Sequence, residues 1–243
     1  MLSVTAAART HFPFVPHLRH SAALRRKPSI SHCRFPLRSS SSIRMSSSDS
    51  HSNSNQIIEH IVLFKVKPET DPYAVNAMIT NLNGLSSLDP VLHISAGPVS
   101  RCRSNSLTFT HMLHSRYRTK TDLTAYSEHP AHVSVVSTYI KPIIEDIMAV
   151  DWVAEDFSRP ADVPPGEKFP SIEQLTAGEN FSPGRAKGFS IGSIAVFKGM
   201  KELEELDSES ELANEQKDKV REFLDGVLVL DYAVAASVQT ASV

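Results

Sequence analysis

Ile147-Met-Ala-Val-Asp151-Trp152 is answered eighty residues later by Val227-Leu-Val-Leu-Asp231-Tyr232. Working outward from this pair, Phe109 to Trp152 lies on Phe189 to Tyr232 without a gap, so that Leu123 meets Leu203 and Ile147 meets Val227. Further upstream, Ile94-Ser-Ala-Gly97 meets Leu175-Thr-Ala-Gly178 with the offset slipped by one. Repetition on this scale fixes the architecture before any local reading. The polar residues do not survive the superposition. His111 becomes Ile191, Tyr126 becomes Leu206, His129 becomes Glu209 and His132 becomes Leu212. One copy holds a candidate site, and the other reads as scaffold.

The first copy is the complete one. Ile57 to Val66 alternates as a strand, with Ile58, His60, Val62, Phe64 and Val66 on one face. Pro68 and Asp71-Pro72 end it and open a helix from Tyr73 to Leu85. Val91 to Val99 and Ser106 to Tyr117 read as two further strands, and Thr119 to Ser127 as a short helix. A longer helix is expected from Pro130 to about Asp146, since proline suits a first turn, and Ile147 to Val153 closes the unit as a strand. This β-α-β-β-α-β order is the split βαβ arrangement of an α+β, ferredoxin-like fold, with its first and third strands side by side.

The second copy supplies strands at Ile172 to Ala177, Phe189 to Phe197 and Val227 to Val234, and a helix over Leu203 to Leu224. It lacks a counterpart of the opening strand and helix. Such a half-unit must bury an apolar sheet face, and the obvious cover is the first copy, sheet to sheet within one chain. Residues 57–153 and 171–236 therefore form two units, joined by a proline-rich linker over 154–170.

Residues 1–48 carry seven Arg, one Lys and no acidic side chain. They are expected to be a disordered transit peptide. This directs the protein to the chloroplast, with a start at Met45 (cytoplasmic) or a peroxisomal reading of Ala241-Ser-Val243 as alternatives. The remaining 17 basic side chains face 27 acidic ones, a formal charge of −10, which argues against nucleic acid or an anionic membrane as partner. Beyond the leader only Cys102 remains, so neither an internal disulfide nor a thiolate metal cluster is available.

His60 and His111 lie on apolar strand faces, and neighbouring strands would aim both into one apolar space. Burial keeps an imidazole neutral, the form that acts as base. Tyr126, His129 and His132, three apart, fall where a helix-turn-helix covers one edge of that space. A phenol and imidazoles converging there suit proton transfer at a carbon acid. His93 and His114 have no such context and read as surface or structural.

Glu59-His60-Ile-Val-Leu-Phe-Lys65, Phe109-Thr-His111, Tyr126-Ser-Glu-His129-Pro-Ala-His132-Val133 and Val150-Asp151-Trp152, in that order, resemble the plant stress-response A/B barrel (Dabb, dimeric α/β-barrel) family, which includes olivetolic acid cyclase. The resemblance implies two four-stranded sheets closed face to face, usually across a homodimer. It implies Tyr126 and His132 as catalytic residues, and His60, His111 and His129 as substrate-binding residues. It also implies a Mg²⁺ bound near the end of the first helix by Leu85, Leu88, Asp89 and Val91, with no cofactor required for catalysis. The expected function is a stress-response barrel with a His/Tyr-lined pocket for a small apolar or polyketide-like molecule. The alternatives are a cofactor-free cyclase or lyase acting by intramolecular aldol condensation, with His132 as base and Tyr126 as acid, and a non-catalytic structural protein.

Overall fold

A computed structural model of the protein describes residues 1–9, 56–104, 106–155, 171–208 and 223–234. The order of elements in the first copy follows from its breakers and caps. Strand β2 spans Gln56–Val66 and helix α1 Pro72–Gly84, where Asp71 accepts from Tyr73 N and Pro72 takes the first turn. Strands β3 (His93–Arg103) and β4 (His111–Tyr117) follow. Helix α2, Lys120–Glu128, opens on a reciprocal cap between Thr119 and Asp122. Helix α3, Pro130–Val135, is capped by His129. It does not run on to Asp146. Its end widens into a π turn over Val136–Ile140, Lys141 N bonds Val136 O at 2.9 Å, and Pro142 has no N–H to continue the ladder. The chain enters β5, Ile144–Glu155, instead.

The second copy contributes β6 (Gln174–Glu179), β7 (Ile191–Val196), α4 (Met200–Ser208) and β8 (Leu224–Tyr232). Of the helix expected over Leu203 to Leu224, residues 209–222 lie outside the described residues, and Leu224 opens β8 instead of ending the helix. Most of the proline-rich linker also lies outside them.

The eight strands run in the order β5-β2-β4-β3-β8-β1-β7-β6, where β1 is Leu2–Arg9. Each half has the same strand order, and the place of the missing first strand of copy two is filled by the N-terminus. Strand β1 pairs antiparallel with β7 and β8 as β2 pairs with β4 and β5. Glu59 sits between Arg116 and Trp152, and Leu2 sits between Val196 and Tyr232, the residues eighty further on. By register, Leu2 corresponds to Glu59 and Ser3 to His60.

The expectation that residues 1–48 are disordered therefore fails for Leu2–Arg9; the rest of that segment lies outside the described residues. The reason is a period-2 pattern that the basic composition obscures. Leu2, Val4 and Ala6 are buried in the core, and burying a valine contributes roughly 1.5–3 kcal/mol. Both ladders of β1 also satisfy backbone groups of β7 and β8 that would otherwise form two open edges. Met1 N and Phe197 O (3.0 Å) close the end of the strand.

Two seams join the halves within the chain. At one, β3 pairs with β8, Val99 opposite Tyr232 and Cys102 opposite Leu230. At the other, Phe181 N donates to Asp151 O (2.9 Å) and Asp151 N to the Asn180 side chain (3.0 Å). The sheets enclose one apolar core in which Trp152, fully buried, lies on Gly178 and Gly192. A Cβ at Gly192 would sit 2.5 Å from the indole, so only glycine permits this contact. Tyr232 packs on Gly97 in the corresponding way and shares a 2.6 Å hydrogen bond with Ser95.

The same interior holds a buried ionic network. Glu59 is bound by His114 (2.6 Å) and by Arg116 (2.8 Å). Burial pushes the Glu59 carboxyl up, but His114 and Arg116 outweigh it and hold it down at about 2. His93, ring to ring with His114 at 5.2 Å, is lowered to about 4 by burial and by the nearby His114 and Arg116. A second apolar core lies between the outer face of the first sheet and α1 to α3. Among the described residues no helix is long and apolar enough to cross a membrane.

Candidate functional site

Between that outer face and the helices is a cavity of about 510 Å³. Strand β2 places His60, Val62 and Phe64 on its wall because these alternate residues face the helices. Helix α2 brings Tyr126 and Ser127, and α3 brings His132.

His132 Nδ1 lies 2.9 Å from the carbonyl oxygen of Ser127. A carbonyl only accepts, so Nδ1 carries the proton and Nε2 keeps its lone pair. Burial lowers the pKa of this imidazole, and the neighbouring His60 and His129 add to the effect against the opposing pull of the Ser127 carbonyl. The ring centroids of His132 and Tyr126 are 4.5 Å apart. Burial raises the Tyr126 pKa, so the phenol stays protonated and is available as a donor. Tyr117 packs behind it at 5.2 Å.

His60 Nδ1 is hydrogen bonded to Asp151 Oδ1, and the other Asp151 oxygen accepts from Arg185. Both Asp151 and His60 are buried. Burial pushes the Asp151 carboxyl up, yet the contacts to His60, Ser182 and Arg185 bring it below the ordinary carboxylate value. An ionised, immobile acceptor at Nδ1 fixes the His60 ring and leaves its Nε2 for a ligand.

Of the five residues singled out from sequence, three meet at the cavity: His60, Tyr126 and His132. The other two do not line it. His111 pairs with Phe64 at the far end of the strand, half-buried, with Nδ1 2.9 Å from Thr110 Oγ1. His129 uses Nδ1 to accept from Ala131 N (3.1 Å) as the cap of α3. Two residues of the site escape a reading of the sequence. Asp151 stands out there as a landmark of the repeat and of the family's blocks but not as a site residue, and its pairing with an aromatic residue in both copies is the available signal. Arg185 carries no signal, because it comes from the other copy.

A model of the stress responsive A/B barrel domain matches residues 58–154 and again 165–234. The chain belongs to this family. A stress-response A/B barrel domain-containing protein of Arabidopsis thaliana is 46% identical over 218 residues, covering 77% of this chain and 82% of its own. A second protein so described from the same plant is 41% identical over 212 residues, covering 75% of this chain and 99% of its own. Among solved structures, a putative monooxygenase from Fusobacterium nucleatum aligns over 75% of this chain and 93% of its own, with a TM-score of 0.52 at 13% identity. That likeness is one of fold.

In this A/B barrel the segment expected to hold Mg²⁺ is a tight turn. Leu85 O accepts from Leu88 N (3.1 Å) and Leu88 O from Val91 N (2.9 Å), and Asp89 is exposed beside them. Each carbonyl keeps one free lone pair. One carboxylate beside them fits a loosely held, largely hydrated cation and nothing tighter. Among the described residues no three His, Cys, Asp or Glu side chains form a metal-binding group.

Proposed function

We propose that this A/B barrel binds a small, largely apolar molecule in the cavity of its first copy. The supporting observation is the adjacency of a neutral His132, its Nε2 free, to a protonated Tyr126 on one wall of an apolar cavity. A cation loosely held near Asp89 is a structural addition in this reading and takes no part in the chemistry. The barrel closes between two copies in one chain, so a homodimer is a contact between finished barrels.

The second reading, a cofactor-free cyclase, is favoured by the ordered pair of His60 and Asp151. His132 Nε2 takes a proton from a carbon between two carbonyls, and the Tyr126 hydroxyl stabilises the enolate oxygen. The enolate carbon attacks a second carbonyl of the same molecule and forms the new C–C bond. The resulting alkoxide recovers the proton from His132. His60, its Nδ1 held by Asp151, offers its Nε2 lone pair as an acceptor for a hydroxyl or enol of the substrate. Tyr126→Phe separates the readings: a binder retains its ligand, while a cyclase loses most of its rate. Turnover unchanged in Tyr126→Phe overturns the aldol chemistry, and absence of binding by any β-polyketone overturns the pocket itself.

A further inference from the structure

The second copy has lost the histidines and the tyrosine, yet its β6–β7 connection reaches the rim of the first copy's cavity. Gly184, Arg185 and Lys187 all line it. The lining contains no aspartate or glutamate, and Arg185 and Lys187 are its permanent cations. The walls below them are apolar: Leu82, Leu113, Val136 and Ile140. Such a space is built for a molecule with a hydrocarbon body and one anionic end.

The local backbone is held in an unusual form. Lys187, at φ 50, is the only non-glycine among the described residues with positive φ, and Gly188 follows at φ 90. A left-handed lysine costs roughly 1–2 kcal/mol, and the turn keeps it there although glycine would carry no such penalty. Each cation is ion-paired but keeps exposed donors for a ligand. Arg185 is 51% exposed and gives Asp151 one of its five N–H groups. Lys187 meets Asp146 at 2.7 Å in a pair about one-third exposed, a contact weak enough to exchange.

We propose that the second copy selects the ligand of the first: Arg185 and Lys187 bind the carboxylate of an otherwise apolar acid at the mouth of the cavity. This rests on the cavity being the ligand site. It also gives the degenerate copy a function beyond closing the barrel.

Calorimetric titration of the full chain with octanoate and with octan-1-ol, matched in chain length, tests it. Wild type is expected to bind octanoate roughly tenfold more tightly, with the preference shrinking as salt is raised. Lys187→Gln and Arg185→Gln should each erase most of that preference, whereas Lys65→Gln, whose partner is the exposed Glu145 away from the cavity lining, should not. Lys187→Gly should weaken octanoate binding while leaving the protein at least as stable, because only the charge matters for binding. Equal affinity for acid and alcohol in wild type, or a preference untouched by both rim variants, overturns the carboxylate assignment and leaves the cavity reading standing. Failure of both ligands to bind, with His132→Ala behaving as wild type, overturns both.

Discussion

Ser3 donates a 2.8 Å hydrogen bond to Asp231 from the register position that His60 holds opposite Asp151. Each aspartate also takes arginine from the other half: Arg185 on Asp151, Arg101 and Arg103 on Asp231. The Asp–Arg contact is thus part of how the halves join. What distinguishes the first copy is the imidazole in place of a hydroxyl, so that here the seam contact also orients a ring on the cavity wall. Asp151→Asn should keep the fold, since the amide still reaches Arg185 or His60. It should cost ligand affinity or turnover about 10–100-fold, as loss of an orienting partner does. Circular dichroism beside a binding titration checks it, and an Asp151→Asn protein with full affinity would remove the dyad from the site.

Strand β1 predicts the behaviour of shortened chains. A form beginning at Met45 lacks Leu2–Arg9 and leaves β7 and β8 unpaired on facing edges. Its urea midpoint should fall well below that of the full chain. Within the full chain, Val4→Asp places a carboxylate between Ile194 and Leu230 and should destabilise by about 3 kcal/mol or more. Equal midpoints for Val4→Asp and wild type would mean that the strand contributes nothing.

The repeat, the β-α-β-β-α-β order and the adjacency of β2 and β4 are all legible in the sequence, because they rest on local periodicity and on proline and cap positions. Tyr126 and His132 are legible as a pair because a helix-turn-helix holds them close whatever the tertiary packing. His111 is misplaced by the same reasoning, because alternation gives the face of a strand but not the position along it. It opens β4 opposite Phe64, four residues along β2 from His60, and Thr110 takes up its ring. Strand β1 is hidden by its basic surroundings, and Arg185 by its origin in the other copy. The first depends on partners more than a hundred residues away and the second on a contact between halves, which no window of residues contains.

Acid should unfold this barrel in two stages. His93 is neutral in the folded state down to about pH 4, against an ordinary value of 6.5, so the unfolded chain binds the proton first. Stability falls as pH drops from 6.5 towards 4. Glu59, at about 2 against 4.5, contributes stability that is complete above pH 4.5 and lost as pH falls towards 2. The second stage amounts to roughly 3 kcal/mol. Chemical denaturation across pH 2–8 should show both limbs. His93→Gln should flatten the upper one and Glu59→Gln the lower, at the expense of stability near neutrality.

Glycine substitutions separate close packing from open backbone. A methyl at Gly192 meets the Trp152 ring at 2.5 and 2.6 Å and Val150 Cγ1 at 3.1 Å. Trp152 is fully buried and has nowhere to retreat, so Gly192→Ala should cost about 1–3 kcal/mol and disturb the indole fluorescence. At Gly84, the last residue of α1, a Cβ meets nothing within 4 Å, and the backbone is already helical at φ −61. Gly84→Ala should therefore stabilise by roughly 0.5–1 kcal/mol through reduced freedom of the unfolded chain. Since the chain has a single tryptophan, its emission reports on the closed barrel alone, and the two variants should move the melting temperature in opposite directions while only Gly192→Ala shifts that emission.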